Sequence, residues 1–334
     1  MKNKKILLVG GCGFIGHNLA IFLKKRGHEI TVVDSLGVNN ILSTPDNEVK
    51  NKKLYRSILN NRIELLNKEK INLIVQDARD YHAVSRLYGN FNPDIIIHLA
   101  AVSHANKSNK DPHSTFDHSL RTLENTLDTA KNKKIHVIYM SSSMVYGDFN
   151  GKDVNEETNC KPIGIYGSLK LAGELMIKSY NQVFDLPYTI IRPSALYGER
   201  CVSRRVGQVF IENAMQKIDI HVNGDGKDKL DFTYIQDLVS GIGTCCENKN
   251  AINQTFNLTY GQAKTINDLL NLLKKEFPEV KVFYKDREKF MPERGTLNID
   301  KAKKLLEFKT NNPIEVGYPK YISWYKNFWK EINN

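Results

Sequence analysis

The stretch Lys4-Lys5-Ile6-Leu7-Leu8-Val9-Gly10-Gly11-Cys12-Gly13-Phe14-Ile15-Gly16 decides the fold. Ile6 to Val9 is a short apolar run with β-branched ends, which reads as a strand buried on both faces of a parallel sheet. Gly10, Gly11, Gly13 and Gly16 follow at once, and a helical pattern then groups Ile15, Leu19, Ile21, Phe22 and Leu23 on one side. Strand, glycine turn and helix is the context that a dinucleotide fingerprint requires. The turn must be tight and the backbone must approach a pyrophosphate closely. The free N–H groups of the helix N-terminus must also face that anion. A side chain at Gly13 would stand in that space.

Glu29 to Val33 reads as a second strand that ends in Asp34, eighteen residues after Gly16. That is close to the spacing of a carboxylate that accepts hydrogen bonds from an adenosine ribose. It would repel a 2′-phosphate, and no arginine follows directly to welcome one. NAD is therefore expected in preference to NADP.

A chain of 334 residues has the length for one large domain or two intimate ones. No run of eighteen apolar residues is present, so no membrane span is expected. The N-terminus leads straight into an expected core strand, so no signal peptide is expected. Cys12, Cys160, Cys201, Cys245 and Cys246 have no metal-ligand spacing, so no metal is expected, and their odd number does not suggest a disulfide framework. A cytoplasmic protein is expected. The net charge of +11 is scattered among lysines and asparagines rather than gathered in one stripe with aromatics. It reads as solvated helix faces that suit an acidic small molecule, not nucleic acid.

Residues 35–70 depart from a compact βαβ plan. Asn39 to Asn51 is polar and turn-rich, and Lys52 to Asn67 has helical spacing. So long a connection either borders the substrate or is a peripheral decoration. Further strands are expected at Asn72–Val75, Asp94–His98 and Ile135–Met140, with helices between them, including one over 113–131. This alternation predicts an α/β fold, a Rossmann-type doubly wound parallel sheet. Ligands sit beyond the carboxyl ends of such strands, where the glycine turn, Asp34, Asp77, Ala100 and Ser142 all fall. Tyr166 and Lys170 then share one face of a helix that runs to about Phe184. An ammonium beside a phenol favours the phenolate, and a serine hydroxyl from the fifth strand end would complete a proton-transfer site.

Together these pieces resemble the extended short-chain dehydrogenase/reductase family, in particular its NAD-dependent nucleotide-sugar epimerases and dehydratases. The motifs are Gly10-x-x-Gly13-x-x-Gly16, Asp77-Ala-Arg-Asp80, His98-Leu-Ala-Ala101, Ser141-Ser-Ser-Met-Val-Tyr-Gly147, Tyr166-x-x-x-Lys170, Arg192-Pro-x-x-x-Tyr-Gly198 and Asp231-Phe-Thr-Tyr-Ile-Gln-Asp237. The resemblance implies an NAD site made of Gly10, Gly13, Phe14, Ile15, Gly16, Asp34, Asp77, Ala78, Leu99, Ala100 and Ala101, with Tyr166 and Lys170 beside the nicotinamide. Ser142, Tyr166 and Lys170 are the implied catalytic residues, Ser142 being five residues before Gly147.

The departures matter as much. The family's dehydratases carry acids just after the catalytic Ser or Thr, where this chain has Ser143 and Met144. That favours 4-epimerisation, by transient oxidation at C4 and return of hydride to the opposite face, over 4,6-dehydration. A 4-keto reductase, a C4 dehydrogenase and a non-catalytic NAD-binding protein are the other readings. Ala195 and Leu230 replace a usual Asn and a usual phosphate-binding Arg, so Arg204 and Arg205, or Arg294, are the candidates for binding a pyrophosphate, and Ser142 and Ser143 are the other substrate candidates.

The resemblance also implies two domains. Residues 1–195 plus 232–262 would bind NAD, and 196–231 plus 263–334 would form a smaller mixed α/β substrate domain. The last aromatic helix is expected to pack rather than to cage a ligand. A nucleotide-diphosphate sugar is the implied substrate. A homodimer would pair through the Tyr166–Lys170 helix and the helix near 113–131.

Overall fold

The computed structural model describes residues 3–43, 51–103, 105–287 and 291–333. Part of the polar stretch expected at 39–51, residues 44–50, lies outside the described residues. The strands are β1 Lys5–Val9, β2 Glu29–Asp34, β3 Asn72–Val75, β4 Ile95–His98, β5 His136–Met140, β6 Tyr188–Arg192, β7 Leu196–Tyr197, β8 Ile220–Asn223, β9 Lys229–Leu230, β10 Thr233–Tyr234, β11 Gln254–Asn257, β12 Lys264–Thr265 and β13 Val282–Lys285.

Seven of them form one sheet in the order β11-β6-β5-β4-β1-β2-β3, and every pairing in it is parallel. Val9 at the end of β1 lies opposite both Val33 and His98, so the strand ends form one rim. Side chains alternate between two faces. Ile6, Leu8, Val32, Ile97 and Ile138 pack with Leu19 and Leu23 of the helix Phe14–Lys25 and with Leu238 and Ile242 of the helix Ile235–Glu247. Leu7, Val9, Val33, Ile96 and Val137 pack on the other side with Val84, Leu123, Leu127 and Ile177. Helices on both faces leave no polar side to the central strands, which explains their unbroken apolar sequence.

The expected helix over 113–131 is present with a change of winding. Pro112–Phe116 passes through a π-helical turn, Asp117–Arg121, into Thr122–Ala130. Such a wide turn leaves no mark in 3.6-residue periodicity.

A further core gathers Phe210 and Ile211 from the helix Val206–Met215, Leu269 and Leu273 from Ile266–Glu276, and Tyr318, Tyr321, Tyr325 and Phe328 from Ile314–Asn333. The aromatics of that last helix are therefore packing. Leu54, Tyr55 and Ile58 of the helix Lys52–Lys68 also enter this core, while Ala302, Leu306 and Phe308 pack against the large sheet.

Candidate active site

Why glycine follows β1 is a matter of space. Gly10 has φ +77°, its N–H donates to the Val33 carbonyl at 2.7 Å, and a Cβ there would stand 2.7 Å from the Ala100 backbone nitrogen. Any other residue would strain the turn and push the ends of β1 and β4 apart. Gly13 caps the helix Phe14–Lys25 without a side-chain hydrogen bond, and no acid occupies the first turn. The N–H groups of that turn are thus left for an anionic ligand.

Above the turn opens a cleft of about 950 Å³. All eleven residues expected around NAD, apart from the Tyr166–Lys170 pair, lie in its wall. Asp34 accepts from the amides of Cys12 at 2.9 Å and Leu36 at 2.8 Å, so it ties β2 to the glycine turn as well as facing the cleft. Burial raises its carboxyl above the usual range, against those two hydrogen bonds and the charge of Arg62. Asn125 donates to the carbonyls of Ala78 at 2.9 Å and Arg79 at 3.0 Å, fixing the loop after β3. These residues fit a dinucleotide: a bare backbone cradle, an uncapped helix start, and a carboxylate at the end of β2.

Beyond the cleft, Ser142 caps a short 3-10 turn, Ser143–Tyr146, by accepting from the Met144 amide at 3.2 Å. The helix Gly164–Phe184 starts hard against that turn, because a Cβ on Gly167 would lie 2.7 Å from the Met144 carbonyl oxygen. This approach brings Tyr166 near Ser142, whose hydroxyl is among the groups that lower the phenol's pKa. Burial raises the phenol above its ordinary range, while Arg205, Ser142 and Arg294 pull it back.

Lys170 lies one turn along the same helix and is buried. Its Nζ donates to the Met140 carbonyl at 2.6 Å and lies 4.9 Å from the Tyr139 ring centre. Burial draws its pKa down to about 7, opposed by Glu174. Two arginines from distant segments, Arg205 and Arg294, also favour the Tyr166 phenolate.

The three candidate arginines divide. Arg205 lines the cleft, and its buried Nε has no hydrogen-bond partner. Arg294 donates through Nη2 to the hydroxyls of Ser143 and of Ser194 (3.1 Å), and through Nη1 to Met144 Sδ at 2.9 Å. Burial lowers its pKa to about 10. Arg204 is exposed, with φ +50°, so the chain reverses there and sends the two neighbours different ways.

Sequence reading missed a buried network beneath Tyr166. Glu174 takes two bonds from Arg192, Nε at 2.9 Å and Nη2 at 2.6 Å, and one from the Ser141 hydroxyl at 2.5 Å. Arg192 also donates to the Tyr146 hydroxyl at 2.9 Å. The signal was present, since Glu174 continues the four-residue step of Tyr166 and Lys170.

A glycine cradle at the rim of a doubly wound sheet, beside a Ser–Tyr pair and a buried lysine, defines a dinucleotide-dependent enzyme of the extended short-chain dehydrogenase/reductase type. The model of the NAD dependent epimerase/dehydratase family matches residues 6–259, and the chain belongs to that family. An uncharacterized UDP-glucose epimerase of Bacillus subtilis is 27% identical over 330 residues, covering 98% of this chain and 99% of that one. UDP-glucuronate 4-epimerase 1 of Arabidopsis thaliana is 26% identical over 349 residues, covering 97% and 77%. The fold is shared with the crystal structure of UDP-glucuronic acid 4-epimerase from Bacillus cereus in complex with UDP-glucuronic acid and NAD. That match has a TM-score of 0.87 at 24% identity, over 97% of this chain and 99% of that one.

Proposed function

We propose that this protein is an NAD-dependent nucleotide-sugar 4-epimerase acting on a UDP-sugar. The observation that carries the reading is the setting of Tyr166: a buried phenol acted on by the Ser142 hydroxyl and by Arg205 and Arg294, with Arg205 in the wall of the dinucleotide cleft. The names of the relatives support the sugar class. NAD, when bound, supplies reversible oxidation and reduction at a sugar carbon. Tyr166 takes the proton from the C4 hydroxyl and later returns it, and Ser142 holds the same oxygen in line. Lys170, whose Nζ donates to the Met140 carbonyl, would hold the nicotinamide ribose. Arg205 and Arg294 bind the diphosphate and favour the phenolate form in which Tyr166 can take that proton. Ser143 and Met144 offer no acid for expelling a C6 hydroxyl, which sets dehydration aside.

The test is Tyr166→Phe, which keeps the ring and deletes the hydroxyl. Conversion of a UDP-sugar should fall by on the order of 10²-fold or more, with NAD content unchanged. Near-full activity would overturn the mechanism. Net change in NADH absorbance in proportion to product would identify a reductase or dehydrogenase instead.

We also infer a homodimer in the cytoplasm. Leu175 and Val183 on the Tyr166 helix are 58% and 70% exposed, and Phe116 nearby is 46% exposed. An apolar face of this kind calls for a partner. All five cysteines are free, which suits a reducing compartment. Light scattering that finds only monomer at micromolar concentration would remove the dimer. Among the described residues no helix is long and apolar enough to cross a membrane.

A further inference from the structure

The helix Lys52–Lys68 is not a peripheral decoration. Its first half packs Leu54, Tyr55 and Ile58 into the core of the substrate half, and its second half packs Ile63 and Leu66 against the large sheet. Glu212, buried on the helix Val206–Met215, accepts from the Tyr55 hydroxyl at 2.7 Å and from Asn51 Nδ2 at 3.1 Å. The helix is thereby fixed to one side of the cleft while it reaches the other.

What it delivers there is a cation. Arg62 is 1% exposed, yet it forms part of the cleft wall together with Gly13, Asp34 and Arg205. Its guanidinium donates twice to the Arg200 carbonyl, from Nε at 3.1 Å and from Nη2 at 2.5 Å. Among the described residues no carboxylate lies within ion-pair distance of it. Asp34, one of its nearest charges, is already engaged by two backbone amides. A buried charge held only by a carbonyl dipole is poorly compensated until an anion arrives.

The two cleft arginines are stationed at different ends. Arg205 acts on Tyr166, whereas Arg62 acts on Cys12 and Asp34, at the glycine turn. We propose that Arg62 is a cofactor-binding residue, placed by the helix Lys52–Lys68 to take the pyrophosphate of the dinucleotide. Its grip on Arg200 also steadies the loop that carries Arg205, linking the cofactor's phosphates to the substrate's. This rests on the cleft being the NAD site and not on which sugar is turned over.

Calorimetry on the full chain, freed of cofactor, tests it with NAD, ADP-ribose, NADP and adenosine as probes. Arg62→Met should weaken NAD and ADP-ribose by about 10- to 100-fold, as loss of a charge-assisted contact does. Arg62→Lys should recover most of that, and adenosine, which has no phosphate, should bind all forms alike. Arg62→Gln keeps a donor for the Arg200 carbonyl without the charge. It should lose NAD affinity as the Met variant does, and it stands in should the latter fail to fold. An NAD affinity within twofold of wild type in the uncharged variants would overturn the proposal. So would an equal loss for adenosine, or a loss confined to NADP. Should the epimerase reading alone be wrong, these binding results would hold while no UDP-sugar is converted.

Discussion

Arg192 and Arg294 both carry a guanidinium into the interior around the strand ends, and the molecule treats them in opposite ways. Arg192 meets Glu174 through two hydrogen bonds and spends a third on Tyr146. Arg294 meets two serine hydroxyls and a thioether, with its Nε buried and unbonded. The paired arginine belongs to the floor that holds Ser141 and the Tyr166 helix in place. The other stands over the strand end beside Ser143, near Tyr166. Charge compensation from within marks a structural arginine, and its absence marks one reserved for a ligand.

The largest effect should come from breaking the floor. Glu174→Ala leaves Arg192 buried without its counter-charge and should cost about 3–5 kcal/mol in urea unfolding. Glu174→Gln with Arg192→Met removes both charges and should recover most of that loss. A Glu174→Ala protein as stable as wild type would erase the contrast.

A middle effect concerns His98, which lies in the same floor, bonded to Thr126 Oγ1 at 3.1 Å. Burial first, then Lys170, lowers its pKa to about 3. A folded pKa below the unfolded value of about 6.5 gives stability that is full above that value and is lost as pH falls toward the folded one. Between pH 7 and pH 5 the histidine should therefore contribute a loss of about 2 kcal/mol. His98→Gln should flatten this part of the stability–pH curve, and an unchanged slope would place the acid sensitivity elsewhere.

The smallest change in stability should come from Arg294→Met, at about 1 kcal/mol, because its hydrogen-bond partners are two serine hydroxyls and a thioether rather than an ion-paired carboxylate. Its affinity for UDP-glucose or UDP-glucuronate, measured with NAD bound, should fall about tenfold. A variant that unfolds readily yet binds as before would reverse the roles of the two arginines.

The part of this design that is local in the chain was legible beforehand. The apolar run of β1, the glycines after it and Asp34 at the end of β2 belong to one strand–turn–helix–strand unit. Their spacing therefore carries the geometry. The family's motifs also led to the Ser142–Tyr166 pair. Long-range partners were not legible. The pairing of Glu174 with Arg192 depends on β6 lying beside β5, and Arg294 reaches Ser143 across 151 residues of chain. The shared helix face of Tyr166 and Lys170 was read correctly, yet the lysine's partner is the carbonyl at the end of β5. Periodicity gives a face of a helix; it does not give what that face meets. Arg204 and Arg205 looked equivalent until the positive φ at Arg204 separated them.

Seen mechanically, the helix Lys52–Lys68 is a brace across the mouth of the cleft. To swing the two halves apart, the molecule would have to break both bonds to Glu212 and draw Leu54, Tyr55 and Ile58 out of their core. A structure braced in this manner resists hinging, so admission of a substrate falls to short loops rather than to whole lobes. The stretch around Arg200 to Arg205 is tied to the same brace at two points, by the Arg200 carbonyl on Arg62 and by Arg200 Nε on Asn61 Oδ1 at 3.2 Å, so the loop that carries Arg205 is held by the member that spans the cleft.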